Sequence, residues 1–194
     1  MKTLKMYKFL LSSLLLLIVL ACNTNNKERT HEQLIHDYFH GLNTLDFALV
    51  SNCVTDSMEN REMEFIISHS QEEMYELFQW DSIFNPILTI SDIVINENKA
   101  QLTMTKLCPR IRFLQDSATV CVVHMEFEDH LISKIETTEY LYFDVPTWSS
   151  RRDTLVSWVD QHHPELTGFI YDISANGAQN YLKAIKLYQD KNQK

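Results

Sequence analysis

Residues 118–143, ATVCVVHMEFEDHLISKIETTEYLYF, hold two apolar runs separated by the polar link Glu128-Asp129-His130. In the first run Cys121, Val123, Met125 and Phe127 occupy alternate positions, with His124 and Glu126 between them. Alternation with period two predicts a half-buried β-strand, and the link predicts a hairpin into a second strand over 131–143. Upstream, 100–108 (AQLTMTKLC) alternates in the same way, and 87–95 supplies a further strand joined to it by Asn96-Glu97-Asn98. If Leu102 faces Phe127, Met104 faces Met125 and Lys106 faces Val123, one side of the hairpin is mostly apolar. The other side then carries Thr103, Thr105, His124 and Glu126. A slip of one residue mixes the faces, whereas a slip of two preserves them. In this register Cys108 stands opposite Cys121, within disulfide reach. The competing reading is that both cysteines pack as small apolar groups. Ile132 and Ile135 are three apart, which predicts a bulge or two-sided burial in the last strand.

Helical periodicity flanks this meander. Leu34, Ile35, Tyr38, Leu42 and Leu45 fall on one arc of a helix over 31–45, and a shorter helix is expected over 46–54. A short strand is expected over 62–67. Ser70-Gln71-Glu72-Glu73 reads as a capping box opening a third helix that ends before Asn85-Pro86. From Trp148 onward the chain reads as helical again. Ser150 is the expected cap of 151–161, Pro164 sits in the first turn of a short helix, and Ser174 or Asn176 starts the last one. The fold class is α+β: three N-terminal helices packed on a curved antiparallel sheet, with extra C-terminal helices over about 148–190.

Three stretches carry a family likeness. Tyr38-Phe39-His40-Gly41-Leu42-Asn43-Thr44-Leu45-Asp46 looks like the junction of the first two helices of the NTF2-like (SnoaL-like) superfamily. Phe78-Gln79-Trp80-Asp81 with Phe84-Asn85-Pro86 looks like its third helix and exit. Phe127-Glu128-Asp129-His130-Leu131-Ile132 resembles its F-x-D-G-x-I hairpin, with His130 in place of glycine. The tail, with Trp158, 163–170, Gly177 and 181–185, resembles a group of uncharacterised bacterial members. The resemblance implies a cone of helices and sheet over 31–143. It implies no reaction, because this fold hosts isomerases, dehydratases, cyclases, hydrolases and non-catalytic modules.

The first 21 residues have another character. Lys2, Lys5 and Lys8 precede an apolar run from Phe9 to Leu20, and Val19-Leu20-Ala21-Cys22 follows. Twelve helical residues span about 18 Å, too little for a hydrocarbon core of about 30 Å. The pattern predicts a signal peptide over 1–21. The last four residues resemble a lipobox, so Cys22 is the expected lipid attachment site and anchors the protein to a bilayer. Residues 22–30 are polar and read as a tether, leaving 31–194 as one domain. The expected location is the bacterial cell envelope, lipid-anchored and facing the periplasm.

Without residues 1–21, which hold three lysines and no acid, 14 of the 17 basic side chains remain against 26 acidic ones, a formal net charge of −12. This excludes nucleic acid as a partner, since displacing counterions needs clustered cations. The partners that remain are a small apolar ligand, an envelope protein, or a second copy docked through the sheet. No cofactor motif, zinc-spaced cluster or nucleophile triad is present in the sequence. His36 and His40 share a helix face but lack a third ligand, and read as solvated.

Candidate site residues cluster in the expected cone. Asp81, at the end of the third helix beside Trp80, is a candidate base in a low-dielectric pocket, with Tyr38 or Tyr140 as hydrogen-bond donor. A plain helix-end acid beside a core tryptophan is the competing reading. Lys106 and Glu136 are expected on one sheet face, either as a polar anchor for ligand or as a structural ion pair. Arg110 and Arg112 fall in what reads as an exposed loop. Two functions follow: a binding or accessory module, or an isomerase, dehydratase or hydrolase using Asp81.

Overall fold

A computed structural model describes residues 29–191. Signal peptide and Cys22 lie outside the described residues. Helix α1 (His31–Thr44) opens with a complete capping box: Thr30 Oγ1 accepts from the Gln33 amide at 3.2 Å, and Gln33 Oε1 accepts from the Thr30 amide at 3.0 Å. The end of the expected tether is therefore part of the fold. Arg29 is fixed as well, donating to the Asn52 carbonyl and to Cys53 Sγ and pairing with Asp37 at 3.3 Å. Leu34, Ile35, Tyr38 and Phe39 are the buried side chains of α1. Leu45 ends the helix in a left-handed conformation, and Asp46 caps α2 (Phe47–Ser51).

The chain then forms β1 (Val54–Glu62) and β2 (Phe65–Ser68), an antiparallel hairpin turning at Met63-Glu64. A single strand over 62–67 was the sequence expectation, and its centre is the turn. Strand β1 escaped notice because VTDSMENRE has no apolar alternation; only Val54 and Met58 are buried. Helix α3 (Gln71–Ser82) is capped by Ser70, whose hydroxyl accepts from the Glu73 amide at 3.2 Å. The Glu73 carboxylate closes the turn on the His69 amide rather than on Ser70.

Strands β3 (Ile87–Asn96), β4 (Lys99–Leu107), β5 (Thr119–Glu128) and β6 (Leu131–Tyr142) complete a six-stranded curved sheet of order β2-β1-β6-β5-β4-β3. Only the β1–β6 contact is parallel. Register shifts along β6 mark the expected bulges, which bend a strand and add twist. The register of β4 on β5 differs from the expected one by four residues: Leu102 faces Val123, Met104 faces Cys121 and Lys106 faces Thr119. Four is even, so the same side chains still point inward.

The disulfide expectation is overturned by this register. Cys121 faces Met104 in the core. Strand β4 ends at Leu107, and Cys108 instead caps α4 (Pro109–Gln115), its Sγ accepting from the Ile111 amide at 3.5 Å. Cys53, Cys108 and Cys121 are all free and buried. Helix α4 occupies what read as an exposed loop around Arg110 and Arg112.

Helix α5 (Val145–His162) starts earlier than Trp148, because Asp144 rather than Ser150 is its cap, accepting from the Thr147 amide at 3.0 Å. Two 3-10 turns and α6 (Ala175–Asp190) follow, the latter capped by Ser174. Two apolar clusters result. One lies between α1 and the inner sheet face, around Leu34, Met58, Leu102, Val123, Met125 and Ile132. The other joins the end of α3 to α4, α5 and α6, around Phe84, Ile111, Leu155, Val159 and Tyr181.

Gly41 lets α2 fold tightly back on α1. A Cβ there would lie 2.7 Å from Val50 Cγ2 and 3.0 Å from the Val50 amide nitrogen. Gly41→Ala is expected to destabilise the fold by about 1–3 kcal/mol through overpacking. Thermal unfolding followed by circular dichroism checks this, as a Tm lowered by about 2–4 °C per kcal/mol.

Candidate functional site

The inner face of the sheet ends in polar side chains at one rim of the cone. Lys106 is near the end of β4, Tyr140 near the end of β6 and Glu62 at the end of β1. Trp80 and Asp81 come down from the last turn of α3. Lys106 Nζ donates to both Asp81 carboxylate oxygens, at 2.7 and 2.8 Å. Their side chains are 23% and 25% exposed, so water screens the pair less than it would a surface bridge. Both oxygens of the candidate base are thus engaged by a cation.

Lys106 and Glu136 do not meet. Glu136 lies opposite His124, on the outer face, because the bulges of β6 change which of its residues face inward. It accepts from Lys134 Nζ at 2.8 Å and lies 3.8 Å from Arg61 Nε. These cations, Lys134 first, hold its carboxyl below the usual range.

The two candidate tyrosines also separate. Tyr38 is buried in the core on α1. Burial first, then the neighbouring Cys53 and Asp81, pushes its phenol well above its ordinary pKa. Tyr140 donates its hydroxyl to Glu62 Oε1 at 2.7 Å. Burial first, then that hydrogen bond and the Glu62 charge, keeps it strongly protonated. Among the described residues no hydrogen bond joins either tyrosine to Asp81. Glu62 is the site carboxylate that the sequence did not disclose; its strand has no alternation to show which way it points.

Around this rim runs an arc of half-buried rings. Tyr140 packs on Phe143 with centroids 5.2 Å apart, and Phe143 packs edge-on against Trp148 at 5.0 Å. The arc is continued by Arg110, whose guanidinium carbon lies 5.3 Å from the Trp148 ring, 4.9 Å from Trp80, 5.2 Å from Phe84 and 5.9 Å from Tyr181. Each such contact contributes about 0.5–2 kcal/mol, more as the cation loses water. Arg110 has no carboxylate within 4.0 Å among the described residues, and its Nε is shielded from solvent without a hydrogen-bond partner. Tyr181 is its one polar neighbour of note. Burial raises that phenol, and the charges of Arg110 and Arg152 and a side-chain hydrogen bond with Arg110 work in the opposite direction.

Three clefts among the described residues lie away from this rim. One of about 550 Å³ runs between α4, α5 and α6, lined by Phe113, Arg151, Ile185 and Tyr188. One of about 340 Å³ lies at the opposite end of the cone, by His31, Asn98 and Phe127. No group of His, Cys, Asp and Glu suited to a metal occurs among the described residues.

No family model matches the chain, and no curated protein does. Solved structures do. An NTF2-like protein of unknown function from Cytophaga hutchinsonii is 13% identical, with a TM-score of 0.48 over 61% of this chain and 94% of that one. A protein of unknown function with a cystatin-like fold from Methylobium petroleophilum is 20% identical, with a TM-score of 0.49 over 59% and 77%. A protein described provisionally as a ketosteroid isomerase, from Kribbella flavida, is 16% identical, with a TM-score of 0.48 over 58% and 78%. No site residue is carried over from any of them.

Both buried phenols have a pH consequence. The unfolded chain loses tyrosine protons near pH ~10, whereas the fold keeps those of Tyr38 and Tyr140 to higher pH. Their contribution to stability is therefore complete below pH ~10 and is lost as pH rises above it. Absorbance titration of tyrosinate is expected to show a late phase in which Tyr38 and Tyr140 ionise as the protein unfolds, with Tyr181 also shifted upward. Replacing both Tyr38 and Tyr140 with Phe should shrink that late phase by two phenols.

Proposed function

We propose that this chain is a lipid-anchored binding module of the cell envelope that holds a small molecule at the aromatic rim of the cone, without turning it over. The observation that carries this reading is the state of the rim: its rings are half-exposed while its acid and base groups already satisfy one another. Asp81 is bound to Lys106, and Glu62 accepts from Tyr140. An apolar surface with a few placed polar groups is the ordinary make-up of a small-molecule site. Catalysis by Asp81 as base requires a free carboxylate oxygen within reach of substrate, and here both oxygens face Lys106 Nζ. The outer sheet face, with Thr103, Thr105 and His124, is left for a second copy or an envelope protein.

Anchoring rests on the sequence at Cys22, which lies outside the described residues. Among the described residues no helix is long and apolar enough to cross a membrane, so attachment in this reading depends on the acyl chains. Two or more chains give durable binding where one gives only marginal binding.

Two measurements test the proposal. Cys22→Ser is expected to abolish incorporation of labelled palmitate and to move the protein out of the membrane fraction. Retention in the membrane by the variant would defeat the anchor. Native mass spectrometry of the protein purified from its own host is expected to show a small-molecule adduct that Trp148→Ala diminishes. An adduct-free protein, or one whose adduct is indifferent to Trp148, would defeat the rim as a binding site.

A further inference from the structure

Arg110 is a cation at the rim that makes no ion pair within 4.0 Å among the described residues. Lys106 has Asp81, and the Glu62 carboxylate has the Tyr140 hydroxyl. Arg110 has rings: Trp80, Phe84, Trp148 and Tyr181 all lie within 5.9 Å of its guanidinium carbon. Ring faces stabilise a cation but accept none of its five N–H bonds in the plane of the fork; of the four, only Tyr181 adds an acceptor beside its ring, its hydroxyl. Its shielded Nε has no acceptor. The chain has 26 acidic side chains, yet none lies within 4.0 Å of this half-buried arginine among the described residues.

We infer that Arg110 anchors the carboxylate of the ligand, and that the ligand is a monoanionic carboxylic acid with an aromatic or otherwise flat apolar body. The inference rests on the rim being the binding site proposed above. A planar guanidinium matches a planar carboxylate in two parallel hydrogen bonds. The flat body then lies along Trp148, Phe143 and Tyr140, whose centroids are spaced about one ring apart. A phosphate ester or other dianion fits less well, because the single unpaired cation shares the rim with the carboxylates of Asp81 and Glu62. No bond is made or broken on binding.

The test uses the full processed chain and two probes of equal shape, 2-naphthoate and the neutral 2-naphthamide, followed by quenching of tryptophan fluorescence. The expected result is saturable binding of the naphthoate that exceeds that of the amide by about ten- to a hundredfold, the usual worth of charge-assisted hydrogen bonds. Arg110→Lys keeps the charge and loses the fork. It should weaken the naphthoate by about tenfold and leave the amide unchanged. The comparison of the two probes on the unaltered protein needs no variant, so a misfolded Arg110→Lys does not spoil it. Equal binding of acid and amide would overturn the role of Arg110 while leaving the rim as a binding site. Binding of neither probe at millimolar concentration would overturn both. Carboxylate-selective binding that survives Arg110→Lys at full strength would place the anchor elsewhere and overturn the inference.

Discussion

A strand cannot turn one of its side chains inward without turning its neighbours outward, and in this protein that constraint acts through β5. Cys121, Val123, Met125 and Phe127 are all buried, and His124 and Glu128 between and after them are exposed. Once that face is inward, each neighbouring strand inherits its orientation through pairing. On β4, Leu102 and Met104 face inward opposite Val123 and Cys121, so Lys106, two residues further on, must face inward too. On β6, Tyr140 opposite Cys121 is inward, and Glu136 opposite His124 is outward. The polar rim therefore follows from the core: side chains that continue the inward series past the apolar layer emerge where the cone opens.

At that opening the protein must satisfy polar groups that the strand geometry forces upon it. An ammonium one-quarter exposed and unpaired would be costly, since desolvation is not repaid. Asp81, lowered onto Lys106 by the last turn of α3, repays it and at the same time ties helix to sheet. Tyr140 is treated likewise by Glu62, which links β6 to β1. A similar clamp holds the far edge, where the Asn43 side chain donates to the Leu88 carbonyl and accepts from its amide, both at 2.8 Å. Thus α1 and α3 are each fixed to the sheet by directional bonds, in addition to apolar packing that would tolerate sliding.

What could be read from the sequence followed from the same constraint. Alternation revealed the faces of 100–108 and 118–127, and with them the α+β architecture, but alternation repeats every two residues and is blind to even slips. The register was therefore four residues out, and the Cys108–Cys121 bridge went with it. Glu62 stayed hidden because β1 buries little and shows no pattern, and Arg110 because Pro109 and Gln115-Asp116-Ser117 have the composition of a loop. Pro109 in fact opens a helix, where its missing amide proton is no loss. The sequence expects Asp81 and Tyr140 near the open end of the cone, and both lie there, each in a hydrogen bond with another residue. Their partners were not legible, because each is set by contacts distant in the chain.

The helical layer beyond the sheet gives the rim its chemical character. Without it the open end of the cone would present an ion pair, a phenol and a carboxylate to water. Helices α4, α5 and α6, with Phe84 from the exit of α3, build a second apolar layer that includes Trp148 and Tyr181, and α4 places Arg110 among them. A guanidinium is the cation best suited to this position, being flat, weakly hydrated and able to lie against rings while its edge stays available. A lysine there would need water or a carboxylate, and the rings offer neither. The same helices therefore both cover the open end and alter its charge: Lys106 is paired with Asp81, whereas Arg110, contributed by α4, lies among rings without a carboxylate within 4.0 Å among the described residues.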